Sequence, residues 1–165
     1  MFIPMVISGL AVDPLTNSPI VILKEIEGDK TLPIWIGFLE AAAIASELEG
    51  IKFSRPMTHD LLESIMKMID VKVLKIEICD LKDNTYYALI HFKHGEKKMS
   101  IDARPSDALA ISLRVNAPIF VDEEVINNSS EISLKAEPED KSEKGKQWQE
   151  MLEGLSPEDF GKYKM

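Results

Sequence analysis

The sequence lacks most of the features that identify secreted, membrane or nucleotide-triphosphate-binding proteins. Its single cysteine, Cys79, excludes an internal disulfide and a multi-cysteine metal site. No segment approaches the roughly 20 consecutive apolar residues of a membrane-spanning helix, and the first residues do not resemble a secretory signal. Phosphate-binding Gly-rich loops and the Gly-x-Ser-x-Gly nucleophile motif are also missing. We therefore expect a cytoplasmic protein with no membrane partner and no organic cofactor.

Positive charge is scarce as well. The chain has 19 basic and 28 acidic residues, a net charge of −9. Residues 1–121 carry 13 basic and 16 acidic residues, whereas residues 122–165 carry 6 and 12. Neither part offers the broad basic surface that nonspecific duplex binding uses. This argues against a DNA-coating protein but leaves open an enzyme that binds a short phosphodiester segment through a few cations.

Hydrophobic periodicity predicts an α+β fold in a chain short enough to form one domain. Apolar residues at helical spacing predict helices over 38–48, 60–69 and 106–114. Alternating apolar residues between turn clusters predict seven strands, over residues 2–12, 20–23, 31–36, 71–81, 86–92, 97–103 and 118–121. Because several strands follow one another directly, we expect a single compact domain with a mixed, largely antiparallel sheet packed by about three helices.

The character of the chain changes after residue 121. Polar and charged residues dominate there, so we predict a domain over 1–127 and an acidic tail over 128–165. An apolar stripe predicts that a helix re-forms at 146–155, and Ser156 and Pro157 begin a last turn. We expect the tail to be flexible or loosely docked and to pack on a partner subunit, in a homo-oligomer with a dimer favoured.

Arginine is confined to three positions, although the chain has 16 lysines. Arg55 and Arg104 each precede a proline, and Arg114 lies on the helix that follows Arg104. A guanidinium offers a planar fork of donors, which suits carboxylate or phosphate and which lysine cannot imitate. Two interpretations stay open: the arginines brace turns through Glu40, Asp60 or Asp107, or they bind phosphate. Both can hold together.

The same motifs lead into predicted helix starts, where free N–H groups and the helix dipole favour anions. Thr58 and Ser106 lie at these starts and could contact a phosphate, or could simply cap the helices. His59 lies between Thr58 and Asp60. It is a candidate general acid or base, or alternatively a structural imidazole that bonds a turn carbonyl.

Carboxylates collect at the motif ends, namely Glu40, Asp60, Asp102 and Asp107. Phosphodiester cleavage commonly uses Mg²⁺ or Mn²⁺ held by two or three carboxylate oxygens. Glu40, Asp102 and Asp107 are therefore candidate ligands for such an ion. Their spacing is not a diagnostic metal signature, so the metal is a hypothesis.

Four segments together closely resemble the bifunctional nuclease domain family, over about residues 5–127. They are Pro33-Ile34-Trp35-Ile36-Gly37 with Glu40-Ala41 and Ala43-Ile44-Ala45, Arg55-Pro56-Met57-Thr58-His59-Asp60-Leu61, Ile101-Asp102-Ala103-Arg104-Pro105-Ser106-Asp107-Ala108, and Ala117-Pro118-Ile119-Phe120-Val121. The resemblance implies a compact α+β domain and activity on both DNA and RNA.

The leading hypothesis is therefore a nuclease acting on single-stranded or short nucleic acid. Its candidate catalytic residues are Glu40, His59, Asp60 and Asp107, and its candidate phosphate-binding residues are Arg55, Thr58, Arg104, Ser106 and Arg114. Two alternatives compete. The same residues could form a non-enzymatic module that binds a nucleotide or other anion, or they could only stabilise an oligomer.

Overall fold

The computed structural model describes residues 1–133. Its strands are β1 (Phe2–Val12), β2 (Pro19–Glu25), β3 (Thr31–Trp35), β4 (Val71–Lys82), β5 (Thr85–His94), β6 (Lys97–Ala103) and β7 (Ile119–Asp122). Its helices are α1 (Phe38–Leu48), α2 (Thr58–Met68), α3 (Pro105–Val115) and α4 (Glu123–Ser133). Within this range no helix has the length and apolar content needed to cross a membrane.

The strands form one seven-stranded sheet in the order β3-β2-β1-β7-β4-β5-β6. β4 and β7 are parallel, and the other neighbouring pairs are antiparallel. The one parallel pair follows from the chain path, since α3 carries the chain from the β6 edge back to the centre of the sheet. The mixed, largely antiparallel sheet and the α+β class predicted from the sequence are confirmed.

One face of the sheet carries the hydrophobic core. Alternate residues of the central strands are fully buried there, including Val21, Leu23, Ile76 and Ile78. The helices cover this face: Ile44 of α1, Leu109 of α3 and Val125 of α4 join the same buried cluster, and Met66 of α2 packs against it. The opposite face of the sheet has no helix against it within residues 1–133 and is called the open face below.

Helix α4 is an element that sequence patterning missed. Its residues Asn127, Asn128 and Ser130 are poor helix formers, which is why the domain boundary was drawn at residue 127, inside the helix. Burial of Val125, Ile126 and Ser129 accounts for the helix, because packing overrides weak intrinsic preference. The segments predicted at 146–155 and 156–160 lie outside the described residues.

Helix α2 is unusual among the helices because none of its residues is buried. It begins at Thr58, two residues before the predicted start. Leu61, Leu62, Ile65 and Met68 are all exposed, Met68 by 85%. An amphipathic helix normally buries its apolar stripe, so α2 presents an uncovered apolar surface beside the helix start that carries His59.

Candidate functional site

Three helix starts meet at one end of the molecule. α1 and α2 both pack on α3, and the first turns of these helices carry Glu40, Asp60 and Asp107, respectively. Arg104 occupies the N-cap of α3, directly after β6, with Pro105 as the first helical residue. Proline suits this position because its missing N–H has no partner at a helix start. The local sequence thus fixes where the Arg104 side chain leaves the backbone.

Arg104 links two of these starts. Its Nε donates to Asp107 Oδ2 at 2.8 Å, and its Nη1 lies 2.8 Å from Glu40 Oε1. Its side chain is nevertheless 64% exposed. A guanidinium has five N–H groups, and those not used for Glu40 and Asp107 have no partner among residues 1–133. We call Glu40, His59, Arg104 and Asp107 the Arg104 cluster.

His59 joins the cluster through Asp107. Its Nε2 lies 2.9 Å from Asp107 Oδ1, and its side chain is mostly buried. Burial by itself would raise the pKa of Asp107. Hydrogen bonds from Arg104 and His59 outweigh that effect and hold the pKa of Asp107 below its ordinary value. Asp107 is therefore an ionised carboxylate that orients both a guanidinium and an imidazole.

A second group, which we call the Arg114 cluster, is built around a buried guanidinium, although its carboxylate, Asp60, is 30% exposed. The Arg114 side chain is only 2% exposed, and its Nε donates to Asp60 Oδ1 at 2.6 Å. Its Nη1 and Nη2 donate to the carbonyl of Ala43 at 3.2 Å, and Nη1 also donates to that of Ala110. One guanidinium thus ties α1, α2 and α3 together. The prediction that Arg114 binds phosphate is wrong, since its donors are used inside the protein.

Both carboxylate oxygens of Asp60 likewise accept hydrogen bonds within the protein. Its second oxygen, Oδ2, accepts a hydrogen bond from the backbone N–H of Met57 at 3.0 Å, which caps α2. Desolvation would raise the pKa of Asp60, but the bonds from Arg114 and Met57 lower it below the ordinary value. With both oxygens engaged, Asp60 positions α2, and the catalytic role predicted for it is corrected to a structural one.

Two cavities flank these clusters. The smaller, about 260 Å³, is lined by His59, Arg104, Asp107, Glu40 and Thr58 together with apolar residues such as Leu39 and Met57. The larger, about 310 Å³, is lined by Asp60 and Arg114 and by the segment that joins α1 to α2. Ser46 and Phe53 line both cavities. Only the smaller cavity has an exposed guanidinium in its wall.

The remaining predicted residues are not all at this site. Ser106 is buried at 7% exposure, so phosphate contact is wrong for its side chain. Arg55 is exposed and lines neither cavity, although its neighbours Ser54 and Pro56 line the larger one. The structure therefore does not bring Arg55 together with Arg104 at a cavity, and phosphate binding by Arg55 stays a prediction.

The predicted metal ligands are only partly assembled. Glu40 and Asp107 flank Arg104. Asp102 is exposed on β6 opposite Leu89, on the open face, because its neighbours Ile101 and Ala103 pair with the core-facing Ile90 and Ala88. Residues 1–133 contain no group of three His, Cys, Asp or Glu side chains placed to bind one ion. The three-carboxylate site is thus wrong, and Asp102 is removed from it.

Sequence reasoning also missed residues that shape the cavities. Lys52 and Phe53 lie in the segment between α1 and α2 and line the larger cavity, and the charge of Lys52 contributes to the lowered pKa of Asp60. A basic and an aromatic residue just before the Arg55-Pro56 turn were the available signal. Nothing in local patterning shows that this segment folds between the two helices.

Comparisons with known proteins identify a domain family that covers this site. The family model described as the bifunctional nuclease domain matches residues 21–133, a range that includes both clusters. An uncharacterized protein of Mycobacterium tuberculosis is 40% identical over 160 residues, which cover 92% of this chain and 94% of that protein.

Plant relatives carry a functional name. Bifunctional nuclease 1 of Oryza sativa is 24% identical over 120 residues, covering 71% of this chain and 36% of the rice protein. Bifunctional nuclease 2 of Arabidopsis thaliana is 25% identical over 108 residues, covering 64% of this chain and 33% of the plant protein. The aligned region is thus about a third of each plant protein. With the family model matching most of the chain, this protein belongs to the bifunctional nuclease domain family.

Proposed function

We propose that the protein is a nuclease that hydrolyses phosphodiester bonds of single-stranded or short DNA or RNA at the Arg104 cluster. The observation that carries the proposal is Arg104 itself, a guanidinium fixed on two sides by carboxylates yet 64% exposed at a cavity. Family membership and the names of the plant relatives support the substrate class.

Arg104 is suited to hold the phosphate. Its bonds to Glu40 and Asp107 restrict the rotation of the side chain, so little further ordering is needed when a ligand binds. The N–H groups left over form a planar donor edge that matches two phosphate oxygens. The exposed hydroxyl-bearing Thr58 lines the same cavity and supplies a further donor.

His59 is suited to handle the proton. When its Nε2–H donates to Asp107, the neutral ring keeps a lone pair on Nδ1, which no other residue in 1–133 engages. Nδ1 then accepts a proton from an attacking water molecule or hydroxyl group. Asp107 fixes this tautomer and stabilises the imidazolium that forms, in the way that a carboxylate orients a catalytic histidine.

Charge balance favours the hypothesis that Mg²⁺ or Mn²⁺ assists the reaction. Glu40 and Asp107 outnumber Arg104, so the cluster has one net negative charge while His59 is neutral. A net negative site repels phosphate. We propose that a divalent ion held by Glu40 and Asp107 supplies the missing positive charge when it is bound.

The experiment is a cleavage assay on purified protein with single-stranded RNA and DNA, in Mg²⁺, in Mn²⁺ and in EDTA. We expect cleavage by the wild type with the metal ions, and loss of it in Arg104→Lys, His59→Ala and Asp107→Asn variants that remain folded by circular dichroism. The matched control is Arg55→Lys, which changes an exposed arginine outside both cavities. Full activity in all three site variants would rule out this site.

A non-enzymatic binding module is the second candidate, and the small size of the cavity favours it. At about 260 Å³ the cavity is just below the ordinary range for small-molecule sites, as expected for a single nucleotide or phosphate group. Thermal-shift screening distinguishes the two functions. Stabilisation by a small phosphate ligand, with no cleavage at high protein concentration, would replace the nuclease by a binding module.

We further propose a homodimer that forms through α2, in the cytoplasm. The exposed stripe of Leu61, Ile65 and Met68 is larger than the scattered apolar residues expected on a monomer. Sedimentation velocity should show a dimer for the wild type and a monomer for Ile65→Asp, whereas Lys67→Asp on the same helix is the charge control. A monomeric wild type would contradict the dimer, and cell fractionation tests the location.

A further inference from the structure

Three lysines lie side by side across the sheet. Lys72 of β4 is directly opposite Lys93 of β5, and Lys93 is directly opposite Lys98 of β6. All three project from the open face, because the next pairs along, Val73 with Phe92 and Phe92 with Met99, belong to the core side. We call Lys72, Lys93 and Lys98 the lysine row.

The fold does not require this row. Like charges directly opposite on neighbouring strands repel each other and destabilise the sheet. Lysine on an edge strand can prevent aggregation, and this explains Lys98 on the edge strand β6. It does not explain Lys93, which is paired on both sides within the sheet. Lys72 lies on the part of β4 that precedes its pairing with β7 and is paired only with β5.

The positive charge of the row is also uncompensated. The neighbouring Lys75 and His91 both bond Glu77, so that part of the open face is already balanced. No carboxylate of residues 1–133 forms an ion pair with Lys72, Lys93 or Lys98. In a chain with net charge −9, three adjacent cations that have no ion-pair partner within residues 1–133 form a local positive strip.

We propose that the lysine row is a binding site for the phosphate backbone of single-stranded nucleic acid, separate from the Arg104 cluster. Strands lie about 4.8 Å apart, so the three ammonium groups are spaced closely enough to contact successive phosphates. On the same face of β5, His91 lies two residues from Lys93 and the exposed Tyr87 lies six residues from it, and these side chains provide rings on which bases stack.

An anionic membrane is the less suitable partner. Asp102 is exposed on the open face, four residues from Lys98 along β6, and the chain as a whole is strongly negative. A flat anionic bilayer that attracted the lysines would be repelled by this negative charge. A narrow single strand can follow the row and avoid Asp102.

The row also has a consequence for substrate length, which rests on the proposed nuclease function. Lys98 and Arg104 lie at opposite ends of β6 and its exit, six residues or about 20 Å apart along the strand. A nucleic acid that contacts both passes around the free edge of β6. Oligonucleotides of about 15 residues should therefore bind more tightly than those of about four.

The test is fluorescence anisotropy with a 15-residue 2′-O-methyl oligouridylate, which resists cleavage and so separates binding from catalysis. The variant is the triple change Lys72→Gln, Lys93→Gln and Lys98→Gln in the full-length protein. We expect its Kd at 50 mM salt to be on the order of tenfold to a hundredfold weaker, and its salt slope to be smaller by about two, since each phosphate contact contributes roughly 0.7. Its thermal midpoint should be unchanged or higher, because repulsion is relieved.

The matched control changes three lysines elsewhere, Lys24→Gln, Lys30→Gln and Lys67→Gln, and removes the same charge. Its Kd should stay within about threefold of the wild type. Equal loss in both triple variants, or no binding by the wild type, overturns the proposal. Loss of binding to vesicles with 30% anionic lipid, without loss of RNA binding, also overturns it. Binding through the row together with absence of cleavage would refute the nuclease alone.

Discussion

The Arg104 and Arg114 clusters contain the same types of residue but differ in the solvent exposure of their arginine. Each pairs an arginine of the α3 region with a carboxylate in a helix first turn. Arg104 is 64% exposed and retains unused N–H groups at a cavity, whereas Arg114 is 2% exposed and its bonds join three helices. An arginine–carboxylate pair thus does not reveal its purpose until its exposure is known.

The difference also shows how the site is supported. Arg114 fixes the relative positions of α1, α2 and α3 through Asp60 and the carbonyls of Ala43 and Ala110. Those helices in turn carry Glu40, His59 and Asp107 to Arg104. The buried guanidinium of Arg114 therefore fixes the three helices in place. The Arg104 cluster, which these helices position, is exposed and available for chemistry.

Removing the buried guanidinium of Arg114 should give the largest loss of stability. Arg114→Met removes the guanidinium bonds to Asp60 and to the carbonyls of Ala43 and Ala110, and breaking a buried ion pair from one side costs about 3 kcal/mol or more. We expect the free energy of unfolding in urea to fall by about 3 kcal/mol. A loss below about 1 kcal/mol would show that Arg114 does not brace the helices, and Lys67→Met on exposed α2 is the control.

Changing the exposed guanidinium should leave stability nearly intact but remove activity. The pairs of Arg104 are solvent-exposed, and such pairs contribute at most about 1 kcal/mol. Under the proposed function, Arg104→Lys loses the fork of donors and should lower kcat by about 100-fold, as for the loss of one charge-stabilising donor. A fall in stability that matches the fall in activity would instead place Arg104 with the bracing residues.

Lowering the pH should produce a smaller difference in stability between the two clusters than the arginine substitutions do. The pKa values of Asp60 and Asp107 are both lowered from the ordinary value of 3.8, so their stabilising effect is complete only above about pH 5. It is lost as the pH falls through the lowered folded-state values. The measurement is the free energy of unfolding in urea at several values of pH from 5 to 2. Asp60→Asn should reduce the loss of this free energy in acid more than Asp107→Asn does, because the exposed Arg104 can turn to solvent. The reverse order would contradict the comparison.

The third arginine should give the smallest effect. Arg55 is exposed and lines neither cavity. Exposed substitutions of this kind usually change stability by less than about 0.5 kcal/mol, and we expect Arg55→Gln to keep cleavage within about threefold. A loss of cleavage comparable to that of Arg104→Lys would show that the binding surface extends past the cavities.

Sequence reasoning reached much of the fold and part of the site. Periodicity found the seven strands and α1, α2 and α3 because each has a clear apolar pattern. It missed α4, whose helix depends on the burial of Val125 and Ile126. Glu40, His59, Arg104 and Asp107 were selected by residue type at helix starts, and the structure brings these four together.

The other features of the site could not be predicted from the sequence. Solvent exposure, and the face of the sheet on which a side chain lies, depend on the tertiary structure. Arg55 and Arg104 both precede proline, yet of the two only Arg104 forms ion pairs with carboxylates of the described residues, 1–133. Asp102 and Asp107 are five residues apart, but the end of β6 places them on different sides of the sheet. The lysine row depends on the register of three strands, which sequence alone does not provide.

The most direct test is to compare the two matched carboxyl-to-amide variants, Asp60→Asn and Asp107→Asn, for cleavage and for unfolding in the same preparation. We expect Asp107→Asn to lose cleavage and to stay nearly as stable as the wild type. We expect Asp60→Asn to unfold more easily but still to cleave at temperatures where it remains folded. Full cleavage by Asp107→Asn, or its loss in folded Asp60→Asn, would contradict the assignment of chemistry to the Arg104 cluster and bracing to the Arg114 cluster.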